Sequence, residues 1–481
     1  MCIFLYIELV KLVIVRRGYS LIENFWETIE EYRQLGFDPL RWIPTCSNEI
    51  DSYVLQSSLE KIKRSTIKII SSWFDAFYYT DGKSPELTRR VYKFDNPQIE
   101  REVEIKRALA MFRIHTQIGE DSILLSQALQ RFLKCFHSKT MIKKSTTTLT
   151  AYPEAQFVLL DYIASHRGNK VGYITASNST TQITDPTQRP ESEIHSNIAL
   201  TNAMENLNLL GCTSGFKVFP IYDAPTEEIL DKIRKNLDAF TSRYNLAMDD
   251  YSSLKIGKLF FGTTAIANTL KELPTRYDQV EEGMQIIISN KFGAMPALSL
   301  YMLTEMDPSN LAKLEQNNIL WNYLSSAKDE VIKHLSEPHF SFGKIISKYC
   351  PDFGTTFDKH AHITAVHPVT TDGIFALAKF AGLTNSHVVI NEIPMMYEEI
   401  ARFATKEFLI ENATASSNRC HLIVVTRDLA SSIIGDLRKH NFEPAVIGFI
   451  AKKERPFVVI EKDISQYVAS KAKLAKLNPI A

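Results

Sequence analysis

Two short stretches hold the residues best suited to chemistry. In HAHITAVHPVTTDG, His360, His362, His367 and Asp372 lie close together, and imidazole and carboxylate are side chains that ligate transition ions. Histidines two positions apart on a strand share a face. Histidines clustered at a junction of loop and strand are nevertheless more often solvated or satisfied within a core than metal ligands, so this stretch argues for no metal site by itself. The second stretch, RWIPTCSNEID, presents Cys46. A nucleophilic thiol needs a depressed pKa and therefore a nearby cation. None is identifiable around Cys46, and a lone loop cysteine is more often an incidental thiol.

The elements that must position these residues follow from periodicity. From about Phe357 to Val458 the pattern predicts helix (373–381), strand (387–390), helix (395–406), strand (421–426), helix (429–440) and strand (445–450). The blocks VVI, LIVV and VIGFI are too apolar for an open surface and predict strands covered by helices on at least one face. Upstream, SLIENFWETIEEYRQLG (20–36) reads as a helix with Ser20 and Glu23 as a capping box and Gly36 closing the end. Residues 62–150 read as amphipathic helices ending in KKSTTTLTA, a surface elaboration or a face for another protein. Residues 224–246 predict an amphipathic helix, SLKIGKLFFGTTAI a pair of strands, and 306–356 helical connectors.

Composition narrows the class. At 481 residues the chain can hold two or three domains, and 45% apolar with 23% charged residues is the balance of a soluble globular protein. The 55 basic and 55 acidic side chains cancel, so bulk charge recruits neither nucleic acid nor an anionic membrane. The 6 cysteines are scattered, which argues for a reducing compartment and against a disulfide scaffold. The apolar opening MCIFLYIELVKLVIV is interrupted by Glu8 and Lys11, and it falls short of the roughly 18 to 20 apolar residues a bilayer span needs. Its charge, Arg16-Arg17, follows the apolar part, whereas a secretory signal carries it before. The expected location is the cytoplasm.

In order and spacing, residues 155–470, with a weaker extension over 37–61, resemble the selenophosphate synthetases (selenide, water dikinases) within the aminoimidazole ribonucleotide synthetase-like superfamily. The C-terminal match is H-A-x-x-T at His360, N-x-(I/L)-P at Asn391, Ile393 and Pro394, then LIVV and AVIGFI. HSNIALTNAMENLNLLG is similar to the family helix R-I-A-x-x-N-x-x-S-D-x-Y-x-M-G, keeping Asn202 and Gly211. VEEGMQIIISNKFGAM is similar to P-G-D-V-L-(V/I)-L-T-K-P-L-G-T, keeping Gly283 and Gly293, the latter at the phosphate turn. VGYITASNSTTQITDP is similar to a strand ending in T-T-D and a turn closing on D-D-P, here Asp185-Pro186.

The resemblance implies an α/β (α+β), two-domain fold. It would have an N-terminal mixed sheet that pairs into a dimer barrel, a C-terminal α/β domain and a helical N-terminal insertion. The divisions expected are 1–61, 62–150, 151–305 and 306–481, and the strands at 156–162, 258–266 and 285–289 are those that could pair between copies. It places the catalytic position on Cys46 and puts Glu49 where the family has a catalytic lysine; a carboxylate there repels phosphate oxygens instead of stabilising them. The three metal-binding aspartates fall on Ser177, Asn206 and Ala365, and the T-G-G-(Q/H) signature reads Asp249-Asp250-Tyr251-Ser252. Losing about three carboxylates should cost several kcal/mol of Mg²⁺ binding, at roughly 4 kcal/mol per close pair. Acids that could replace them are Asp121, Glu205, Asp249, Asp250 and Asp372. Asp121 enters only if IGEDSILL is the family strand I-G-x-D-x-x-V-I displaced by the insertion; QFVLLDY is the preferred placement.

The expected function is therefore a synthetase-like protein with a degenerate ATP/Mg site, a non-catalytic homologue with a regulatory or partner role. It would be a homodimer, with a further partner met through 62–150. The alternatives are a divergent ATP-dependent selenide, water dikinase, with ATP and Mg²⁺ as its cofactors, and phosphate-ligand binding without turnover.

Overall fold

The computed structural model describes residues 25–35, 149–152, 157–160, 173–181, 185, 187–250, 259–306, 310–407, 410, 412–460, 464–469 and 477. Cys46, Glu49 and Asp121 lie outside these residues. So does the expected insertion at 62–150, except its last two positions, which begin a strand.

A first sheet forms from β1 (Leu149–Tyr152), β2 (Phe157–Leu160), β3 (Tyr173–Thr181), β4 (Ser214–Asp223), β5 (Ala247–Met248) and β6 (Phe260–Thr269), in the order β1-β2-β3-β6-β4-β5. It is mixed, because β5 runs parallel to β4 while the other pairs are antiparallel. The described part of SLKIGKLFFGTTAI is one strand, β6, paired on both sides.

The helix that organises the molecule is α2 (Glu193–Leu209), with α1 (Phe25–Gln34) before it and α3 (Glu227–Tyr244) after β4. Ser192 caps α2, its Oγ accepting from the Ile194 N–H at 3.4 Å. The helix is buried around most of its circumference. Ala199, Leu200, Ala203, Met204 and Leu207 pack with Val218, Phe261 and Ala265 of the first sheet. Leu209 instead joins a core containing Ile287, Phe342 and Ile346. A helix apolar on several sides belongs between layers, and each fully buried Leu or Met stabilises that position by about 2 kcal/mol. In α3 only one stripe is buried, Ile233, Leu237, Phe240 and Thr241, so it covers the sheet from outside.

The second sheet comprises β7 (Gln285–Ile288), β8 (Ala365–Pro368), β9 (His387–Ile390), β10 (His421–Val425), β11 (Ala445–Lys452) and β12 (Phe457–Ile460), in the order β12-β9-β11-β7-β10-β8. Its helices are α4 (Met295–Met306), α5 (Asn310–Gln316), α6 (Trp321–Ser336), α7 (Phe340–Lys348), α8 (Ala376–Thr384), α9 (Glu398–Lys406) and α10 (Arg427–Lys439). The expected helix–strand alternation is present, yet only β12 and β9 run parallel. Both faces are covered. Ile286, Ile288, Leu422 and Val424 face a core with Leu377 and Phe380 of α8, while Ile287, Ile423 and Val425 face Phe342 of α7 and Ile433 and Leu437 of α10. Two covered faces explain why LIVV and III are apolar without alternation.

Because β7 belongs to the second sheet, the sheets divide the chain between β6 and β7. β7 lies between β11 and β10, and β6 between β3 and β4. Neither therefore has a free edge for backbone pairing with a second copy, which corrects the expectation for the strands at 258–266 and 285–289. Among the described residues no helix is long and apolar enough to cross a membrane.

Candidate functional site

The site implied by the sequence lies where α2 faces the second sheet. Asn202, Glu205 and Asn206 are spaced i, i+3, i+4 and so share one side of α2. Opposite them runs an irregular segment, Asn412 to Cys420, almost wholly buried although it carries Thr414, Ser416, Ser417 and Asn418. Buried polar groups without secondary structure need specific partners. Asn418 Nδ2 donates to Asn202 Oδ1, Ser416 Oγ donates to the Lys291 carbonyl at 2.8 Å, and Thr414 Oγ1 accepts from the Ile374 N–H at 2.9 Å.

Glu205 is 2% exposed. Its Oε1 accepts the main-chain N–H of His339 at 2.6 Å, lies 3.2 Å from His339 Nδ1, and accepts from Asn208 Nδ2 at 3.3 Å. Its Oε2 is buried with no hydrogen bond among the described residues. Arg419 closes the far side: Nη1 donates to His334 Nε2 at 3.0 Å, Nη2 donates to the Asn441 carbonyl at 2.5 Å, and the guanidinium lies 4.5 Å from the Phe442 ring centre. Burial lowers the Arg419 pKa while Glu205 and neighbouring carboxylates oppose the shift. Burial, aided by the Arg419 charge, pushes His334 down to about 3, so it is the neutral acceptor of this pair. The His421 ring lies 4.7 Å from that of Phe342, tilted by 30°, and burial pushes its pKa down to about 4 against the pull of Glu205. None of Arg419, His334, His339 or His421 stands out in the sequence, because each is a single polar residue whose partner is distant along the chain.

The other residues singled out by sequence are dispersed. Position 177 lies on β3 opposite Ala265. Asn206 is half-buried. Ala365 is fully buried, pairs with Val424 and belongs to the apolar core beside α8. Asp249 pairs with Lys217, Asp250 accepts from the Tyr222 hydroxyl, and Asp372 holds Lys379 Nζ at 2.9 and 2.8 Å. His360 is exposed, 3.6 Å from Asp428, and His362 Nδ1 accepts from the Asp358 N–H at 3.0 Å. His367 is fully buried near Phe380, and burial, with the Lys379 charge adding to it, pushes it down to about 3. Among the described residues no group of three or more His, Cys, Asp or Glu could hold a metal ion.

Mg²⁺ takes hard oxygen ligands, usually with carboxylates among them. The described donor set does not fit it: one position is an apolar core residue, one is a neutral amide, and the carboxylate next to that amide accepts from the His339 N–H. The turn around Gly293 is likewise turned inward. Gly293 has φ +77°, and a Cβ there would lie 2.4 Å from Met395 Cε, so the position requires glycine. The N–H groups of Phe292, Gly293 and Met295 donate to the carbonyls of Pro394, Thr414 and Ala415 at 2.9, 3.1 and 3.2 Å. These donors are engaged within the chain and are not presented to a phosphate.

A second buried polar cluster lies between α1, α2 and α6. Asp185, 1% exposed, accepts from the Thr187 N–H at 3.1 Å and lies 3.5 Å from Lys328 Nζ. The Tyr32 hydroxyl donates to the Gln188 carbonyl at 2.6 Å and lies 2.7 Å from His195 Nε2. Burial pushes His195 down to about 4 although the Asp185 charge opposes it.

No family model matches the chain, and none of the curated proteins matches it. Solved structures similar to it include a hydrogenase maturation protein HypE in complex with ATP, at 14% identity over 63% of this chain and 85% of that one, TM-score 0.43. A thiamine-monophosphate kinase from Stenotrophomonas maltophilia K279a is similar at 16% identity over 65% and 89%, TM-score 0.42. A thiamine monophosphate kinase from Aquifex aeolicus is similar at 11% identity over 69% and 96%, TM-score 0.42. What the described residues define is a mixed α/β fold of two six-stranded sheets with α2 between them. The likeness to selenophosphate synthetases in particular is carried by the sequence segments alone.

Proposed function

We propose that this chain is a non-catalytic homologue built on the aminoimidazole ribonucleotide synthetase-like fold, similar to the selenophosphate synthetases but without their Mg²⁺-dependent phosphoryl transfer. The observation that carries this reading is the fate of Glu205. It is the one carboxylate next to an expected ligand position, and its Oε1 is committed to the main-chain N–H of His339. A ligand set built from Ser177, Asn206 and Ala365 supplies no negative charge to Mg²⁺. Role and location follow from the same reading: a cytoplasmic homodimer that regulates or joins other proteins, with the 62–150 segment as the face for a further partner.

Calorimetric titration of the full chain with ATP, with and without Mg²⁺, tests it. The expected result is no Mg²⁺-dependent binding; micromolar binding that requires Mg²⁺ would overturn it. A divergent ATP-dependent selenide, water dikinase is favoured by one observation, the buried Glu205 Oε2 with no hydrogen bond among the described residues. That reading needs selenide-dependent AMP formation lost in Cys46→Ala. Elution at the mass of a single chain would rule out the homodimer.

A further inference from the structure

We propose that a cleft away from the α2 site binds a planar aromatic ring carrying an anionic group. The cleft, about 340 Å³, opens between the start of β4, the C-terminal end of α3 and the first turn of α7. That volume lies at the lower end of small-molecule sites, which combine apolar walls with a few placed polar groups.

Local backbone geometry builds the cleft. The β4–β6 register shifts between Ser214 and Lys217, a β-bulge, and bulges re-aim side chains. Gly215 within it has φ +65°, and a Cβ there would lie 2.4 Å from Asn268 Nδ2. Beyond the bulge, Phe216 meets Phe340 with ring centres 5.1 Å apart at 71°, and Phe340 meets Tyr244 at 6.1 Å and 60°. On the third side α3 ends on Asn245 in the left-handed conformation, φ 51°. Phe216, Tyr244 and Phe340 are half-buried and line the cleft, an apolar wall against which a flat ring can pack.

The charge balance selects an anion. Lys344 lies four residues after Phe340 on α7, on the same side of the helix. It is exposed and makes no ion pair among the described residues, whereas neighbouring Lys348 is held by Asp436. The lining includes the hydroxyl residues Thr213 and Ser214 but no acid. At the cleft's edge burial raises the Tyr244 pKa, the Glu337 and Glu193 charges add to the rise, and Arg243 opposes it. The cleft is independent of the Mg²⁺ question, since it shares no residue with the expected ligand positions.

The test titrates the full chain with 2-naphthoate, its neutral amide 2-naphthamide, and hexanoate, an anion without a ring. The expected result is saturable one-site binding of 2-naphthoate and none of hexanoate. Lys344→Gln should weaken 2-naphthoate about two- to fivefold, the range of an exposed ion pair, and leave 2-naphthamide unchanged. Phe216→Leu should weaken both naphthyl probes about three- to tenfold. Absence of saturable 2-naphthoate binding at millimolar concentration, hexanoate binding as tight as naphthoate, or an affinity that neither substitution changes would each overturn the proposal.

Discussion

Acidification should destabilise this protein through histidines that its core keeps neutral. His367 and His421 lie on adjacent strands, 0% and 1% exposed, and neither ring nitrogen of His367 has a hydrogen-bond partner among the described residues. Burial pushes them from 6.5 down to about 3 and about 4. Below pH 6.5 the unfolded chain binds protons that the folded chain refuses, so stability falls as pH falls, by up to about 1.4 kcal/mol per pH unit per histidine. At pH 5.0 the unfolded imidazole is almost fully protonated and the folded one scarcely at all. The difference is about 2 kcal/mol for each, or about 4 kcal/mol for the two. At pH 7.5 the same contribution is close to zero. Urea unfolding across pH 7.5 to 5.0, comparing the native sequence with His367→Leu/His421→Leu, reads the effect. The native chain should lose about 4 kcal/mol more than the double variant over this range. Parallel pH profiles would refute the claim that these imidazoles stay neutral in the fold.

Further consequences follow from other buried partners. Glu205→Gln keeps the shape but weakens a charge-assisted hydrogen bond, so unfolding at pH 7.5 should show a loss of about 1 kcal/mol; an unchanged urea midpoint would place Glu205 outside the fold's support. Asp185→Asn leaves Lys328 without one of its two carboxylates and should cost about 3 kcal/mol, and adding Lys328→Met should recover part of it. Gly293→Ala forces a side chain into φ +77° and against Met395, a loss of at least about 1 kcal/mol, and pairing it with Met395→Ala should relieve the contact but not the backbone strain.

Much of the architecture is legible along the chain. The strand at 387–390 and the helices at 224–246 and 429–440 follow from periodicity, because an apolar stripe or block specifies how a segment is buried whatever covers it. Cap residues refine this: Thr226 starts α3 through its hydroxyl, and Asn245 ends it in the left-handed region. What periodicity does not contain is the neighbour. LIVV is apolar at every position, so nothing in it marks which face meets α8 and which meets α7 and α10, nor that β10 lies between β7 and β8.

The candidate site was legible only as positions. Sequence by itself determined that Asn206 and Ala365 carry no charge and that Glu205 is the acid beside Asn206. Tertiary structure alone decided what Glu205 does, since His339 lies 134 residues away and reaches it only when the turn before α7 packs on α2. The same holds for Arg419 with His334 and Tyr32 with His195, pairs separated by 85 and 163 residues. A residue's chemistry is local to its side chain, but its partner, its burial and hence its protonation are set by which distant segments the folded layers bring against it.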